Sequence, residues 1–344
     1  MDFRLENKKE SVFKTLVQEY VQFAKPVSSE LVSKKSNLGL SPATIRNYFA
    51  EFEDLGLVFQ PHPSAGRMPT DLGLRYYVNY LVKWEAQDTE SASRIRSFFE
   101  ESEEIDSLIS RAPGILSQLS RQIGILLLPR LEEERLREVH FLWLGANRIL
   151  AIFIYQGQII EHRVLKNQTG LKPGDLHRIS NYLNQLVKGK TLLELRAYLL
   201  EEMKAQGRNQ SQELKKLWGL SEELVKARSQ RTLSIEGKSN LANHPEFKQT
   251  DKLEMVLKAL EDQRILLELL EESVRTPGLR VSIGREHFYP ELQGLAMITS
   301  NYFNSRGRSM GNIGVLGPKR MDYEKLIPLV RYTSQVIGEF LAKK

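Results

Sequence analysis

"SPATIRNYFAEFEDLGLVFQPHPSAGRMPT", Ser41 to Thr70, is the stretch from which the N-terminal fold is read. Ser41-Pro42 is a helix start. The serine hydroxyl accepts from a free backbone N–H, and proline costs nothing at the first helical position because its missing N–H would have no partner there. Ile45, Phe49, Phe52 and Leu55 recur at helical spacing and predict a buried inner face, and Gly56 predicts the stop. The opposite face carries Thr44, Asn47, Ala50 and Glu51, with Arg46 on its flank. Small, hydrogen-bonding and cationic groups of this kind read base edges or hold phosphates; on an ordinary helix they are simply solvated. Beyond the stop, Leu57-Val58-Phe59 predicts a strand and Ser64 to Arg67 a tight turn, with Arg67 at the tip and free to reach outward. Strand, turn tipped by a base, and return strand after a third helix is the layout of a wing.

Two helical stretches come before it. Asn7 to Ala24 puts Phe13, Leu16, Val17, Tyr20 and Val21 on one face, and Lys25-Pro26 ends it. Ser28 to Lys35 is a short second helix opened by serines, so the order is that of a helix-turn-helix. Asp71 to Lys83 forms a fourth helix with Leu74, Tyr77, Val78 and Leu81 inside. Residues 85–106 hold eight acidic residues against two arginines, which predicts a linker or solvated helix that repels a polyanion.

The remainder is mixed. Arg137 to Lys166 alternates or runs apolar in pieces broken at Gly145-Ala146-Asn147 and Gln156-Gly157, which predicts a three-stranded antiparallel meander. Strands are expected again at Arg280–Ile283, Leu295–Thr299 and Gly311–Leu316, before a last helix from Tyr323 to Leu341. Between them Gly174 to Val274 reads as helical and charged, with Thr250 to Val274 as one apolar-striped core helix rather than a dimer seam. A β-rich unit interrupted by a helical block predicts one domain inserted into another.

The chain has 344 residues, 41% hydrophobic and 27% charged, and a formal net charge of +6; its pI is near 9.2. That length supports several domains, and the balance is compatible with a polyanionic partner. There is no cysteine, so disulfides, thiolate catalysis and cysteine-based zinc sites are excluded. The charged N-terminus is not a signal peptide, and the apolar run Ile125 to Leu128 is too short to span a bilayer, so a soluble cytoplasmic protein with no membrane partner is expected. Histidines 62, 140, 162, 177, 244 and 287 show no metal-ligand spacing, and neither a metal nor a cofactor is expected. Gly311, Gly314 and Gly317 lack the phosphate-loop pattern and read as a strand with tight turns. Lys319, Arg320 and Asp322 read as an ion-pair cluster at a domain or dimer contact in preference to a small-molecule site. The acidic run has no apolar pocket to raise a carboxyl pKa, so an enzyme is the least supported class.

The stretch from Leu40 to Gly56 followed by "PHPSAGRMPTDLGLRYYV" resembles the signature of the HrcA family, the heat-inducible transcription repressors of bacteria. "IEGKSNLANHPEF" at Ile235–Phe247, "VSIGREH", and "IGVLGPKRMDY" at Ile313–Tyr323 are similar to further signatures of that family, in the same order. Departures are Tyr48-Phe49, where an acidic residue and methionine are usual, and Pro63 in place of threonine.

The resemblance implies an α+β multidomain protein: an N-terminal winged helix, a GAF-like α/β domain and an inserted, mainly helical dimerisation domain. Mapped on this chain, the ranges are 1–84 for the winged helix, 85–106 for the acidic linker, 107–170 with 278–344 for the GAF-like domain, and 171–277 for the insertion. It implies a homodimer that represses chaperone operons, binds an inverted-repeat operator in double-stranded DNA, and is assisted by a GroEL-type chaperonin. The protein would be cytoplasmic and nucleoid-associated when bound. Expected DNA contacts are Ser41, Thr44, Arg46 and Asn47 on the third helix and His62, Ser64 and Arg67 in the wing, with Arg67 foremost. Residues 1–83 carry 11 Lys and Arg against 9 Asp and Glu, so affinity has to come from placement and two-fold doubling. The rival reading is a ligand-sensing protein in which the GAF-like unit binds a metabolite and the N-terminal helices serve protein contacts.

Overall fold

Helix α1 (Asn7–Phe23) stops at Ala24, which takes the left-handed conformation at φ 55°. The computed structural model describes residues 4–83, 88–100, 105–127, 134–145, 147–156, 160–167, 170–206, 233–248, 250–275, 278–304, 307 and 309–343. Helix α2 (Ser29–Lys35) is capped by the Ser28 hydroxyl, which accepts from the Leu31 N–H at 3.2 Å, and α3 (Pro42–Asp54) by Ser41, which accepts from the Thr44 N–H at 3.1 Å. Phe13, Leu16, Val17, Ile45, Phe49 and Phe52 close one core, with the Phe13 ring edge-on to Phe52 at 5.3 Å and to Tyr76 at 5.7 Å. Leu55, expected inside, is 39% exposed. The helix ends at Asp54, so the chain leaves helical spacing there and Leu57 takes the buried place instead. Strand β1 (Val58–Phe59) pairs antiparallel with β2 (Met68–Pro69), and α4 (Asp71–Tyr76) continues through a π-helical turn, Tyr77–Leu81.

Helices α5 (Thr89–Glu100) and α6 (Ile105–Ser120) lead into β3 (Ile123–Leu127). The next three strands, β4 (Leu136–Gly145), β5 (Arg148–Tyr155) and β6 (Ile160–Lys166), make an antiparallel sheet of their own, backed by α7 (Pro173–Leu186), with α8 (Leu192–Gln206) following. The chain returns to β3 through β7 (Leu233–Glu236), α9 (Thr250–Glu261), α10 (Gln263–Arg275), β8 (Leu279–Ile283), β9 (Leu295–Phe303), β10 (Ser309–Pro318) and α11 (Tyr323–Lys343). Five of these strands form an antiparallel sheet in the order β7-β3-β10-β9-β8. Because strand side chains alternate, the sheet has two apolar faces. Ile123, Ile125, Leu127, Met297 and Leu316 pack with Val256, Leu260, Leu266 and Leu270 of α9 and α10. Leu126, Ile298, Ile313 and Val315 pack with Leu116, Ile327, Val330 and Ile337 of α6 and α11.

Several expectations are corrected. The meander forms as read but does not join the C-terminal strands, so the range 107–170 with 278–344 puts two separate sheets in one unit and leaves β7 of the five-stranded sheet in the insertion. Residues 233–275, assigned to the insertion, belong instead to the five-stranded unit: Leu241 and Phe247 are buried in its core, and Asn240 donates to the Ser117 hydroxyl and the Gln122 carbonyl at 2.9 Å. The single helix from Thr250 to Val274 is broken at Asp262, whose carboxylate accepts from the Arg264 N–H at 3.0 Å and starts a new helix. Within residues 85–106, α5 is more than a solvated spacer. Ile95 and Phe99 are buried, and the Phe99 ring lies 5.5 Å from Phe340 of α11. Gly311, Gly314 and Gly317 lie in β10 without intervening turns, and their missing side chains let neighbouring groups such as the Leu127 and Ile298 carbonyls approach closely. Among the described residues no helix is long and apolar enough to cross a membrane.

Candidate nucleic-acid interface

Helix α3 has no acidic residue in its first turn, so the partial positive charge of its N-terminus is not offset there. Ser41 and Thr44 stand at that end. The Ser41 oxygen serves the cap and lies 2.9 Å from the Thr44 hydroxyl, so both side chains order the helix start. Asn47 is exposed, and its side chain makes no hydrogen bond to any described residue. Arg46 is exposed on the flank, and its Nε donates to Ser29 of α2 at 3.3 Å, which ties the two helices together. Glu51, the acid on this face, is 2.6 Å from Lys9, whose ammonium also lies over the Tyr48 ring. Its charge is thereby offset. Phe49 is buried, so the Tyr48-Phe49 departure on that side alters packing rather than the outer face.

Arg67 is not at the tip of the turn. Its backbone N–H and C=O both pair with Val27 at 2.9 Å, adding a bridge beside the two-stranded hairpin. Its side chain is only 19% exposed and pairs with Glu53 of α3 at 2.9 Å. The arginine expected to reach outward instead fastens the hairpin to α3. Gly66 makes this approach possible, since a Cβ there would run into the Val27 carbonyl. The exposed tip is His62, Pro63 and Ser64, and the Gln60 amide holds it by donating to the Pro63 carbonyl at 2.8 Å and the Ala65 carbonyl at 2.9 Å. Neither Val27 nor Gln60 was visible as a partner in the sequence. The bridge joins residues 40 positions apart, and a glutamine before a proline has no distinctive local pattern.

The second group of predicted residues is divided. The Lys319 ammonium lies 2.5 Å from the Asp71 carboxylate at the start of α4. Arg320 grips Glu246 with two nitrogens and donates to the Val21 carbonyl of α1 at 2.9 Å. Asp322 stays local: its backbone and side-chain oxygens accept from the N–H groups of the first turn of α11, and its carboxylate is 3.4 Å from Lys325. Lys319 and Arg320 therefore bridge the five-stranded unit and the N-terminal helices. Tyr77 is buried at the same seam, where desolvation and the Glu324 carboxylate push its hydroxyl pKa up, so it remains protonated at neutral pH. Burial lowers the pKa of His287, one residue from Glu286, and keeps that imidazole neutral. Among the described residues no group of three or more His, Asp or Glu comes together to hold a metal ion.

These arrangements have relatives. The family described as "HrcA protein C terminal domain" matches residues 106–327. A heat-inducible transcription repressor of Xanthomonas euvesicatoria is 33% identical over 334 residues, covering 97% of this chain and 95% of the relative. The chain belongs to the HrcA family. A repressor of the same name from Geobacter sulfurreducens is 33% identical over 331 residues, 96% of each chain. The fold also recurs in a solved structure, the crystal structure of a hypothetical protein, with a TM-score of 0.64 over 99% of both chains at 24% identity. As an HrcA-family member the chain is a transcription repressor of the heat-stress response and not an enzyme.

Proposed function

We propose that this HrcA-family chain binds an inverted-repeat operator as a homodimer and represses a chaperone operon until heat releases it. In this reading α1 to α4 and the hairpin are a winged helix, with α3 in the major groove. The observation that carries it is the outer face of α3: Asn47 and Arg46 stand exposed behind a helix N-terminus without acidic residues, while Glu51 is held by Lys9. Ser41 and Thr44 add hydroxyls next to a phosphate, and His62 and Ser64 are the hairpin residues placed to touch the backbone. Arg67 acts indirectly, by setting the hairpin's angle against α3. The five-stranded unit is the GAF-like domain, and the three-stranded unit, residues 134–206, is the inserted dimerisation domain. Assistance by a GroEL-type chaperonin and a place in the bacterial cytoplasm, at the nucleoid when bound, accompany the family resemblance.

The expected test is selection of bound sequences from random duplex DNA, which should enrich a spaced inverted repeat. Enrichment of a single unrepeated site, or of nothing, overturns the reading.

Dimerisation has a physical motive in the three-stranded sheet. One face is covered by α7, whereas the other presents Leu142, Leu150 and Val164 in one cross-strand row and Ile154 and Ile160 in another. Leu142 and Ile160 are each 51% exposed and Val164 is 57% exposed. A patch of this kind is a protein contact in most soluble proteins, and a second copy would cover it by stacking sheet on sheet. Leu142→Asp combined with Val164→Asp is expected to give a monomer by light scattering, with operator affinity falling at least about tenfold as the second half-site contact is lost. A variant that remains dimeric removes this face from the interface.

A further inference from the structure

We infer that the polar joint between α4 and the loop after β8 holds the reading unit at a set angle, making Asp71, Arg75, Glu286 and Lys319 positioning residues that decide which half-site spacing is accepted. The inference rests on the dimeric, DNA-binding reading above. Small polar surfaces between units ordinarily permit relative motion. Here the polar groups are matched. The Asp71 carboxylate takes the Lys319 ammonium at 2.5 Å on one oxygen and the Arg285 backbone N–H at 3.0 Å on the other. Gly284, at φ +56°, lacks the Cβ that would collide with that carboxylate, so the loop backbone closes around it.

One turn further along α4, the Arg75 guanidinium takes both Glu286 oxygens, one of them at 2.7 Å, and donates to the Val281 carbonyl at 2.6 Å. Val281 lies in β8, the outermost strand of its sheet, so Arg75 uses a carbonyl on that strand. A planar two-point grip fixes orientation as well as distance, which a lone ion pair does not. Two such attachments on successive turns of one helix resist both rocking and twisting of the N-terminal unit. The side chains of Asp71 and Arg75 are each 21% exposed, which limits screening by salt.

The consequence lies in the DNA. Each added base pair moves a half-site by about 3.4 Å and rotates it by roughly 35°, so a dimer whose reading units are held rigidly accepts one spacing and rejects its neighbours. A dimer with loose units follows the half-sites to several spacings, and its effective concentration at each is lower.

The test compares the wild-type full chain with two double variants. Asp71→Asn with Arg75→Met breaks the joint from the reading unit, and Lys319→Gln with Glu286→Gln breaks it while leaving residues 1–83 unchanged. Affinity is measured for a lone half-site and for inverted repeats with the preferred spacer and with spacers one to three base pairs shorter or longer. Both variants should bind the lone half-site within about twofold of wild type, and their preference for the natural spacer should fall from about 100-fold to under about tenfold. Variant spacing profiles superimposable on the wild-type profile overturn the inference. A wild type that binds half-sites but is indifferent to spacing also overturns it. A wild type that binds neither half-site nor repeat overturns the DNA reading itself.

Discussion

Phe52→Ala is expected to destabilise the N-terminal unit by about 3–5 kcal/mol, enough to leave much of it unfolded near physiological temperature. Phe52 is fully buried in the last turn of α3, edge-on to Phe13, which in turn meets Tyr76. Truncation therefore opens a cavity beside the Phe13 ring, where aromatic side chains of three different helices meet. The face of the five-stranded sheet packed on α9 and α10 is a core of its own, separate from the N-terminal helices, so that unit should retain its transition in a urea or thermal melt, while the N-terminal transition is lost and operator binding with it. Phe52→Leu, which keeps most of the volume, should cost markedly less. A Phe52→Ala protein that melts as the wild type does would show that the helices do not pack as described.

Asn47→Ala should leave the fold intact, because the side chain is exposed, and should weaken operator binding by about 1–3 kcal/mol, roughly 5- to 150-fold. If Asn47 reads a base edge, the loss falls on one operator position and substitutions at that base pair cease to matter. A uniform loss on all sequences assigns it to phosphate instead. Full operator binding by the variant sinks the placement of α3 in the groove. Arg46→Ala is a less clean comparison, since it also removes the bond to Ser29 that ties α3 to α2.

The features legible in the sequence are those whose causes lie within a few residues. The Ser28 and Ser41 caps, the inner row Ile45, Phe49 and Phe52, and the alternation of the meander all follow from local hydrogen bonding and side-chain period. Strand β3 is not legible in the sequence for the opposite reason. Ile123 to Leu127 is buried on both faces, so it shows no alternation, and its partners β7 and β10 lie more than a hundred residues further along. The same distance hid the division between the sheets: the meander's pattern says that it is a sheet, and nothing in it says which strands lie beside it.

By itself the sequence determined the helix-turn-helix order, the outer face of α3, the hairpin after it, and the family through motifs that keep their order along the chain. Only the tertiary structure decided what those residues do to one another. It turned Arg67 inward because Val27, from the far side of α2, comes close enough to pair with its backbone and leaves its guanidinium facing Glu53. It gave Lys319 a partner 248 positions away, at the first turn of α4. Local pattern records the preference of each residue for a conformation and for water. Which charge meets which depends on how separate elements stack, and burial of apolar faces settles that without regard to distance along the chain.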